Sequence, residues 1–442
     1  MLDHGLLLNL VLVVWIAVSG FASVMLPESS RQMVSGGLLG VSVLAAGYFA
    51  NGVEGQVAGI SLKPMLLAAA VGGLLVCWIL LWSSPRPIPG WSPRAPLVAC
   101  ALLGIALVIP RVLGGVEVSP PIGFVLLQLA TLTSQRIQPA QFGRGIWVGT
   151  GVGIAFGVLI ELNVRVVSED LLLGGEDLLY SPLLNLVGMD YRIGNALGGP
   201  APFALAALAW GIAAWRYVNF RAWVVAMAAS LAVILATAAR SVLIIFVLAA
   251  GALLLSSQPT RAPRAKAVVG FLAGLALLLA VSRQLTSEQQ SNLSTATGRT
   301  PLWRWTADEL LAGDGWLIGR GNWPENLSIL GAPWDAAHAH SMYFAAWWSA
   351  GLAGLLLSGL LIWALVRDGK SLTGAEHVQY LVLVGCFALY AVQEPALLYG
   401  ATVAAGAVAL ALAAVLAPPT SDSHAIAMVH RPRQRLHEEH RP

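Results

Sequence analysis

Two histidines, His338 and His340, stand directly before a long apolar run in the stretch "WDAAHAHSMYFAAWW", residues 334–348. An imidazole accepts and releases a proton near neutral pH and also binds metal ions, so the pair suits acid–base chemistry or a metal site. For a metal, Asp335 is the only close carboxylate, whereas a structural zinc site normally closes with four ligands. The pattern therefore favours a proton-transferring group over a metal site.

Arginines occur in or beside the polar connectors of the same sequence. Arg240 stands between two apolar runs in "LATAARSVLIIF" (235–246), where a charge at a helix centre would cost about 2.5–3.5 kcal/mol. It either snorkels to a helix end or faces a water-filled cavity, and the lack of polar turn residues favours the cavity. Arg192, in "MDYRIGNALGGP", either points into a site beneath its turn or contacts lipid headgroups. Arg299 and Arg304 flank the start of a predicted helix in "GRTPLWRW".

Guanidinium groups capture phosphate in a bidentate way and keep their charge. Four arginines and an imidazole in one cavity would suit transfer from a lipid-linked phosphate donor to a hydroxyl acceptor. The arginines would stabilise the departing phosphate, and the imidazole would remove the acceptor's proton.

The elements that must position these groups are membrane helices. The chain has 442 residues, is 57% hydrophobic and 11% charged, and its mean hydropathy is +0.75. Because about 20 apolar residues cross a bilayer, the sequence predicts an all-α polytopic membrane protein with about 12 transmembrane helices (11 to 13) and a small periplasmic helical cap. The candidate spans lie near 5–26, 36–52, 65–82, 96–114, 119–135, 144–162, 200–216, 222–239, 240–256, 265–282, 341–366, 376–392 and 396–417. The first of these is interpreted as a retained span and not as a cleaved signal.

Basic clusters predict the orientation. The tail "HRPRQRLHEEHRP" and the short connectors at 86–94, 216–221 and 260–266 are rich in Arg and Lys, which places them in the cytoplasm. The long connectors, about 163–199 and 283–340, then face outward. Residues 1–417 are predicted to form one transmembrane domain that includes both loops, and residues 418–442 a disordered basic cytoplasmic tail.

The second long loop is predicted to contain an amphipathic helix along the membrane. Thr300 would cap it, Pro301 would occupy its first position, and Trp303, Trp305, Leu310 and Leu311 would share one side. The Gly-rich stretch "GDGWLIGRGN" that follows lacks the lysine and the spacing of a nucleotide P-loop, so nucleotide binding is discarded.

The chain resembles the bacterial O-antigen ligases and their relatives, the O-antigen polymerases and protein O-oligosaccharyltransferases. "HSMYFAAWWSAGLAG" (340–354) fits that family's pattern of His, Asn/Ser/Gln, nine residues, Gly, two residues and Gly/Thr/Tyr. "ARS" (239–241), "GRTPLWRW" (298–305), "GRGN" and "RIGNALGGP" (192–200) resemble further family features in the same order. The resemblance covers roughly residues 185–365.

The resemblance implies a glycosyltransferase of the bacterial inner membrane that needs no metal, cofactor or nucleic acid. It would transfer a glycan from undecaprenyl pyrophosphate to a sugar hydroxyl of lipid A–core at the periplasmic face. His340 would be the general base, with His338 as the second choice and Asp335 as an orienting carboxylate. Pyrophosphate would be bound by Arg192, Arg240 and Arg299, with Arg304 and Arg320 as secondary candidates.

Two other interpretations of the sequence stay open. An O-antigen polymerase or a protein O-oligosaccharyltransferase would use the same donor chemistry, although the first external loop is net acidic and only a short tail follows the last span. A lipid-linked glycan transporter would be expected to carry ionisable residues in the middle of several spans, often in two related halves. The charge here is predicted at one face instead.

Overall fold

A computed structural model describes part of the chain. The described residues are 27–50, 56–57, 60–82, 137, 139–163, 193–194, 197, 199–237, 239–257, 299–321, 323–324, 330–332, 339–370, 372, 374–394, 397 and 402–416. The predicted spans 5–26, 96–114, 119–135 and 265–282, most of both long loops, and the tail lie outside these ranges.

The described residues form eleven helices and one short antiparallel pair of strands. In the pair, β1 (Gln56–Val57) faces β2 (Ile60–Ser61). The helices are α1 (Glu28–Ala50), α2 (Leu62–Trp82), α3 (Pro139–Asn163), α4 (Pro200–Tyr217), α5 (Phe220–Ala236), α6 (Arg240–Ser257), α7 (Arg299–Leu311), α8 (Gly315–Ile318), α9 (Met342–Gly369), α10 (Gly374–Gln393) and α11 (Thr402–Leu416).

Helix length and composition support a multi-pass membrane protein. Four described helices are long and apolar enough to cross a bilayer: Glu28–Phe49, Leu62–Trp82, Ala140–Glu161 and Met342–Gly369. Two shorter apolar helices, Phe220–Ala236 and Ser241–Leu253, accompany them. The total of about twelve spans and the periplasmic cap stay predictions.

Helices α1 and α3 pack along a seam of glycines. A Cβ on Gly36 would overlap Phe142 O, one on Gly145 would overlap Met33 O, and one on Gly149 would overlap Gly37 O. Only hydrogen at these positions lets two backbones approach so closely. Because Gly36 faces Phe142 near the start of both helices and the Tyr48 hydroxyl donates to Gly153 O further along both, the two helices run parallel.

Side-chain contacts give the direction of the remaining bundle. The Trp147 ring of α3 stacks on Trp210 of α4 at 5.7 Å and lies 6.1 Å from the Tyr217 ring. Gln379 Nε2 of α10 donates to Ile212 O at 2.9 Å. Both contacts involve the carboxyl-terminal half of α4 and the amino-terminal half of its partner, so α4 is antiparallel to α3 and to α10.

The bundle therefore has two ends. Arg216, near the end of α4, pairs with Glu376 at the start of α10, and we call this the Arg216 end. At the opposite end Glu394 follows α10 and lies 3.7 Å from His340, measured from Oε2 to Nδ1. We call this the His340 end.

The loop helix differs in detail from its prediction. It begins at Arg299, one residue before Thr300, and its buried face consists of Leu302, Thr306 and Leu310. The prediction that Leu311 shares a side with Leu310 was wrong, since Leu311 is 61% exposed and Leu310 is fully buried. The buried residues follow a strict four-residue spacing.

Candidate functional site

His340 lies in a strained turn just before α9. Its φ is 47°, the only positive value among the described residues other than glycine, and such a conformation has to be held by its surroundings. Trp303 Nε1 of α7 donates to Ala339 O at 2.9 Å, and the Trp303 ring stacks on Phe344 at 5.8 Å. Trp303 thus contacts the backbone just before His340 and a side chain just after it.

A buried carboxylate faces the imidazole. The Glu394 side chain is only 8% exposed, and its Oε2 lies 3.7 Å from His340 Nδ1. That distance is longer than a hydrogen bond. The other oxygen, Oε1, accepts from Arg299 Nη2 at 2.7 Å. One carboxylate therefore bridges a guanidinium and an imidazole.

Arg299 is held at two points by the end of α10. Besides its bond to Glu394, its Nη1 donates to Gln393 O at 2.6 Å. This carbonyl lies at the carboxyl terminus of a helix, where a cation is favoured by the helix dipole. Helix α7 is thereby attached to α10 through the same groups that set the Glu394 carboxylate beside His340.

Sequence reasoning missed Glu394. The residue sits in "YAVQEPALL" (390–398) between two predicted spans, with no polar loop around it. That is the same signal that singled out Arg240: a charge placed between apolar runs has to find a partner or a cavity. The signal was present, and the partner could have been sought among the predicted external arginines.

A break in α9 attaches the Gly-rich loop to the site region. Ala350 (φ −136°, ψ 17°) and Gly351 (φ 61°, ψ −150°) are not helical. The backbone at Gly319 packs into this break, where a Cβ would lie 2.6 Å from Gly351 N. Arg320 N donates to Trp348 O at 2.6 Å, which satisfies a carbonyl that the break frees.

The break explains the spacing of the His-to-Gly motif. Gly351 is the residue that adopts the positive φ, and Gly354 lets the Ala346 carbonyl approach, because a Cβ there would overlap that oxygen. Both positions need glycine for physical reasons. The motif thus joins the His340 turn to the docking point of the loop that follows α7.

The two secondary arginine candidates lie elsewhere on α7 and its loop. Arg320 pairs with Glu309, with 2.9 Å between Nη2 and Oε1, and its guanidinium lies 5.7 Å from the Trp348 ring centre. These contacts tie the loop to α7 and α9. Arg304 is exposed on the surface of α7.

The remaining predicted residues are described in part or not at all. Arg192, Asp335 and His338 lie outside the described residues, and for Arg240 the backbone alone is described, as the first residue of α6. Ile193 N donates to Ala236 O at 3.2 Å. The backbone next to Arg192 therefore lies against the end of α5, close in sequence to the start of α6.

These features define a class: a helical membrane protein with a cluster of Arg, Glu and His at one end of its bundle. The O-antigen ligase family matches residues 225–358. This confirms the resemblance, and this part of the chain is an O-antigen ligase family domain within the superfamily of O-antigen ligases and polymerases. A search of curated proteins found no match.

The matched segment holds most of the cluster. It includes Arg299, the His340 turn, and the break at Gly351, whereas Glu394 lies beyond it. The match suggests a glycosyl-transferring enzyme of O-antigen pathways, and the family implies lipid-linked glycans and lipid acceptors in general.

Proposed function

We propose that the chain is an O-antigen ligase, which transfers a glycan from undecaprenyl pyrophosphate to a sugar hydroxyl of lipid A–core. One observation carries the proposal: His340 stands at a helix end, within the family-matched segment, with its Nδ1 facing a buried carboxylate. An imidazole supported in this way from one nitrogen can use the other as a base.

The proposed reaction is a single group transfer with a balanced proton. The acceptor hydroxyl gives its proton to His340 Nε2, and its oxygen forms a bond to the anomeric carbon of the glycan. The bond between that carbon and the pyrophosphate oxygen breaks, and its electron pair leaves with undecaprenyl pyrophosphate. Glu394 stabilises the imidazolium that forms, as the buried Asp does in a Ser-His-Asp triad.

The arginines divide the remaining work. The Arg299 guanidinium already faces the Glu394 carboxylate at 2.7 Å, so much of its charge is balanced within the protein. We assign it to hold Glu394 and to present its outer edge to the pyrophosphate. Arg192 and Arg240 would supply the positive charge that stabilises the leaving group, because each is predicted at this end of the bundle.

The position of His340 just before α9 supports a reaction at the membrane surface, on a substrate whose lipid part lies in the bilayer. At 1.5 Å per residue, the part of α9 after the break, from Leu352 to Arg367, is about 22 Å long, and the part before the break extends it towards the ~30 Å hydrocarbon thickness of a bilayer. Trp347 would then lie at the aromatic level of one interface. His340 would lie just beyond it, at the level of lipid phosphates.

Charge distribution supports a periplasmic site. Five described cations lie towards the His340 end, namely Lys63 and four arginines of the candidate site region and its loop helix (Arg240, Arg299, Arg304 and Arg320), whereas six with no place in that region lie towards the Arg216 end: Arg31, Arg144, Arg216, Arg221, Arg367 and Lys370. The positive-inside rule places such an end in the cytoplasm. The His340 end would then face the periplasm of a bacterial inner membrane.

The test is reconstitution of the purified chain in liposomes with lipid-linked glycan and lipid A–core, followed by mass analysis of products. His340→Ala should lower the rate by about 10² to 10⁴, the range for a lost general base, while bound donor is retained. His338→Ala is the matched control and should stay active. Full activity of His340→Ala together with an inactive His338→Ala would move the base to His338.

The acceptor separates the related enzymes in the same assay. Joining to lipid A–core supports the ligase, extension of a second lipid-linked glycan would indicate a polymerase, and joining to a protein would indicate an oligosaccharyltransferase. Movement of the lipid-linked glycan across the bilayer without covalent transfer would indicate a transporter and would contradict the proposal.

A further inference from the structure

A second polar feature lies at the Arg216 end, far from His340. A cavity of about 300 Å³ is lined by Trp363, Val366, Arg367 and Lys370, at the carboxyl-terminal end of α9. The Arg367 guanidinium carbon lies 5.3 Å from the centre of the Trp363 ring. This cation–π contact favours a position of the guanidinium over the ring.

An apolar face of α9 leads from the cavity towards the middle of the helix. Leu356, Leu360, Trp363 and Val366 are all exposed large apolar residues, with Leu356 62% and Trp363 54% exposed. They recur every three or four residues and so lie on one side of the helix. The face is about 15 Å long at 1.5 Å per residue, which is about half of the ~30 Å hydrocarbon core and so about the depth of one leaflet of acyl chains.

The charged part and the apolar part of this surface together suit an amphiphilic ligand. Two cations at the mouth suit a phosphate, and Arg in particular offers paired donors to its oxygens. The apolar face below them suits a hydrocarbon chain. A soluble anion would leave this face unused, and a second copy of the chain would bring the same two cations against each other.

We propose that this surface binds an anionic phospholipid, with its phosphate between Arg367 and Lys370 and one acyl chain along Leu356, Leu360 and Trp363. The proposal does not depend on the reaction at His340. It needs only that α9 crosses the bilayer, as its length and composition indicate. The lipid would fix the level of α9, whose other end carries the His340 turn.

The test uses the full chain in phosphatidylcholine liposomes that contain a phosphatidylglycerol with a photoreactive group in its acyl chain. Labelling should map to the α9 peptide around Leu356 and Leu360. Unlabelled phosphatidylglycerol should compete, whereas phosphatidylcholine, inorganic phosphate and glycerol phosphate should not. The double variant Arg367→Gln, Lys370→Gln should bind about 25-fold more weakly, at about fivefold for each cation near a membrane surface.

Arg221→Gln is the matched control, because Arg221 is an exposed cation at the same end but outside the cavity. Its labelling should match that of the unaltered chain. If the double variant does not fold, Lys370→Gln alone should give the fivefold loss, since Lys370 is exposed. Equal labelling by a phosphatidylcholine probe, an equal loss in Arg221→Gln, or competition by inorganic phosphate would each overturn the proposal.

Discussion

The glycine seam between α1 and α3 and the break in α9 both depend on residues without a side chain, but for different reasons. At the seam, Gly36 faces the Phe142 carbonyl of a neighbouring helix, and its own backbone is helical. In α9, Gly351 has φ 61° and departs from the helix. The seam needs space, whereas the break needs a conformation that other residues adopt at a cost.

The two regions also differ in the polarity of their surroundings. The seam lies among buried apolar residues such as Leu39, Val43 and Ile146. The His340 end instead contains a strained histidine, a buried carboxylate and a guanidinium. Strain and buried charge lower stability and are kept where a function requires them. Variants of the seam should therefore change folding, and variants of the His340 end should change turnover.

The largest effect in this comparison, after the loss of His340 itself, is expected for Glu394. Glu394→Gln keeps the shape and an acceptor for Arg299 but removes the charge that faces His340 Nδ1. We expect turnover in liposomes to fall about 10²-fold, the cost of a mispositioned reacting group, with a melting temperature close to that of the unaltered chain.

Glu394→Asp provides the control for this change. It keeps the charge at a shorter reach and should recover part of the lost turnover. If Glu394→Gln unfolds the protein while Glu394→Asp restores both stability and full turnover, the carboxylate serves the fold and not the reaction.

Helix bounds and side-chain contacts differ in how well they can be predicted from the sequence. Helix bounds follow from apolar length, so the predicted span 200–216 agrees with Pro200–Tyr217 and 376–392 with Gly374–Gln393. The Arg299–Glu394 pair was not predicted, because it joins two helices whose contact depends on the packing of the whole bundle. Arg299 was found because its local motif is distinctive, whereas Glu394 has a signal only when charges between spans are searched for partners.

The break in α9 shows a second limit. The glycine spacing in "HSMYFAAWWSAGLAG" was noticed, but a glycine in an apolar helix is common in membrane proteins. The positive φ of Gly351 and the docking of Gly319 against it arise only once the loop after α7 is in place. The sequence motif shows which positions are glycine, and the fold explains why glycine is needed there.

A substitution in the seam should act on stability. Gly36→Ala places a Cβ on the Phe142 carbonyl, and this overpacking should lower the free energy of unfolding by about 1 to 3 kcal/mol. Thermal unfolding in detergent measures the change. Gly37→Ala is the adjacent control, because its Cβ would lie at an ordinary 3.6 Å from Gly145 O. Equal melting temperatures for both variants would contradict the seam.

A substitution at the break should loosen the loop after α7. Gly351→Ala forces an alanine to φ 61° and ψ −150°, a conformation that costs about 1 to 3 kcal/mol for a residue other than glycine, and its Cβ would also overlap the Leu317 carbonyl. We expect faster proteolysis between α7 and α9 and a lower turnover. Gly359→Ala, in the same helix with open space around it, should be neutral or slightly stabilising. If both variants resist protease equally, the docking at the break is not important for the loop.

The smallest effect is expected for Arg320, and it separates a phosphate-binding arginine from a structural one. Its pair with Glu309 is partly exposed, with side-chain exposures of 39% and 30%, and such pairs contribute about 0 to 1 kcal/mol. Its backbone bond to Trp348 O does not depend on the side chain. Arg320→Gln should therefore keep turnover within about threefold, since 0.6 kcal/mol corresponds to that ratio, and should change the melting temperature little.

Arg299→Gln is the comparison, because it removes a bond to the buried Glu394 and should reduce turnover strongly. A loss in Arg320→Gln as large as that in Arg299→Gln would place Arg320 at the substrate and extend the reacting cluster along the loop to α9.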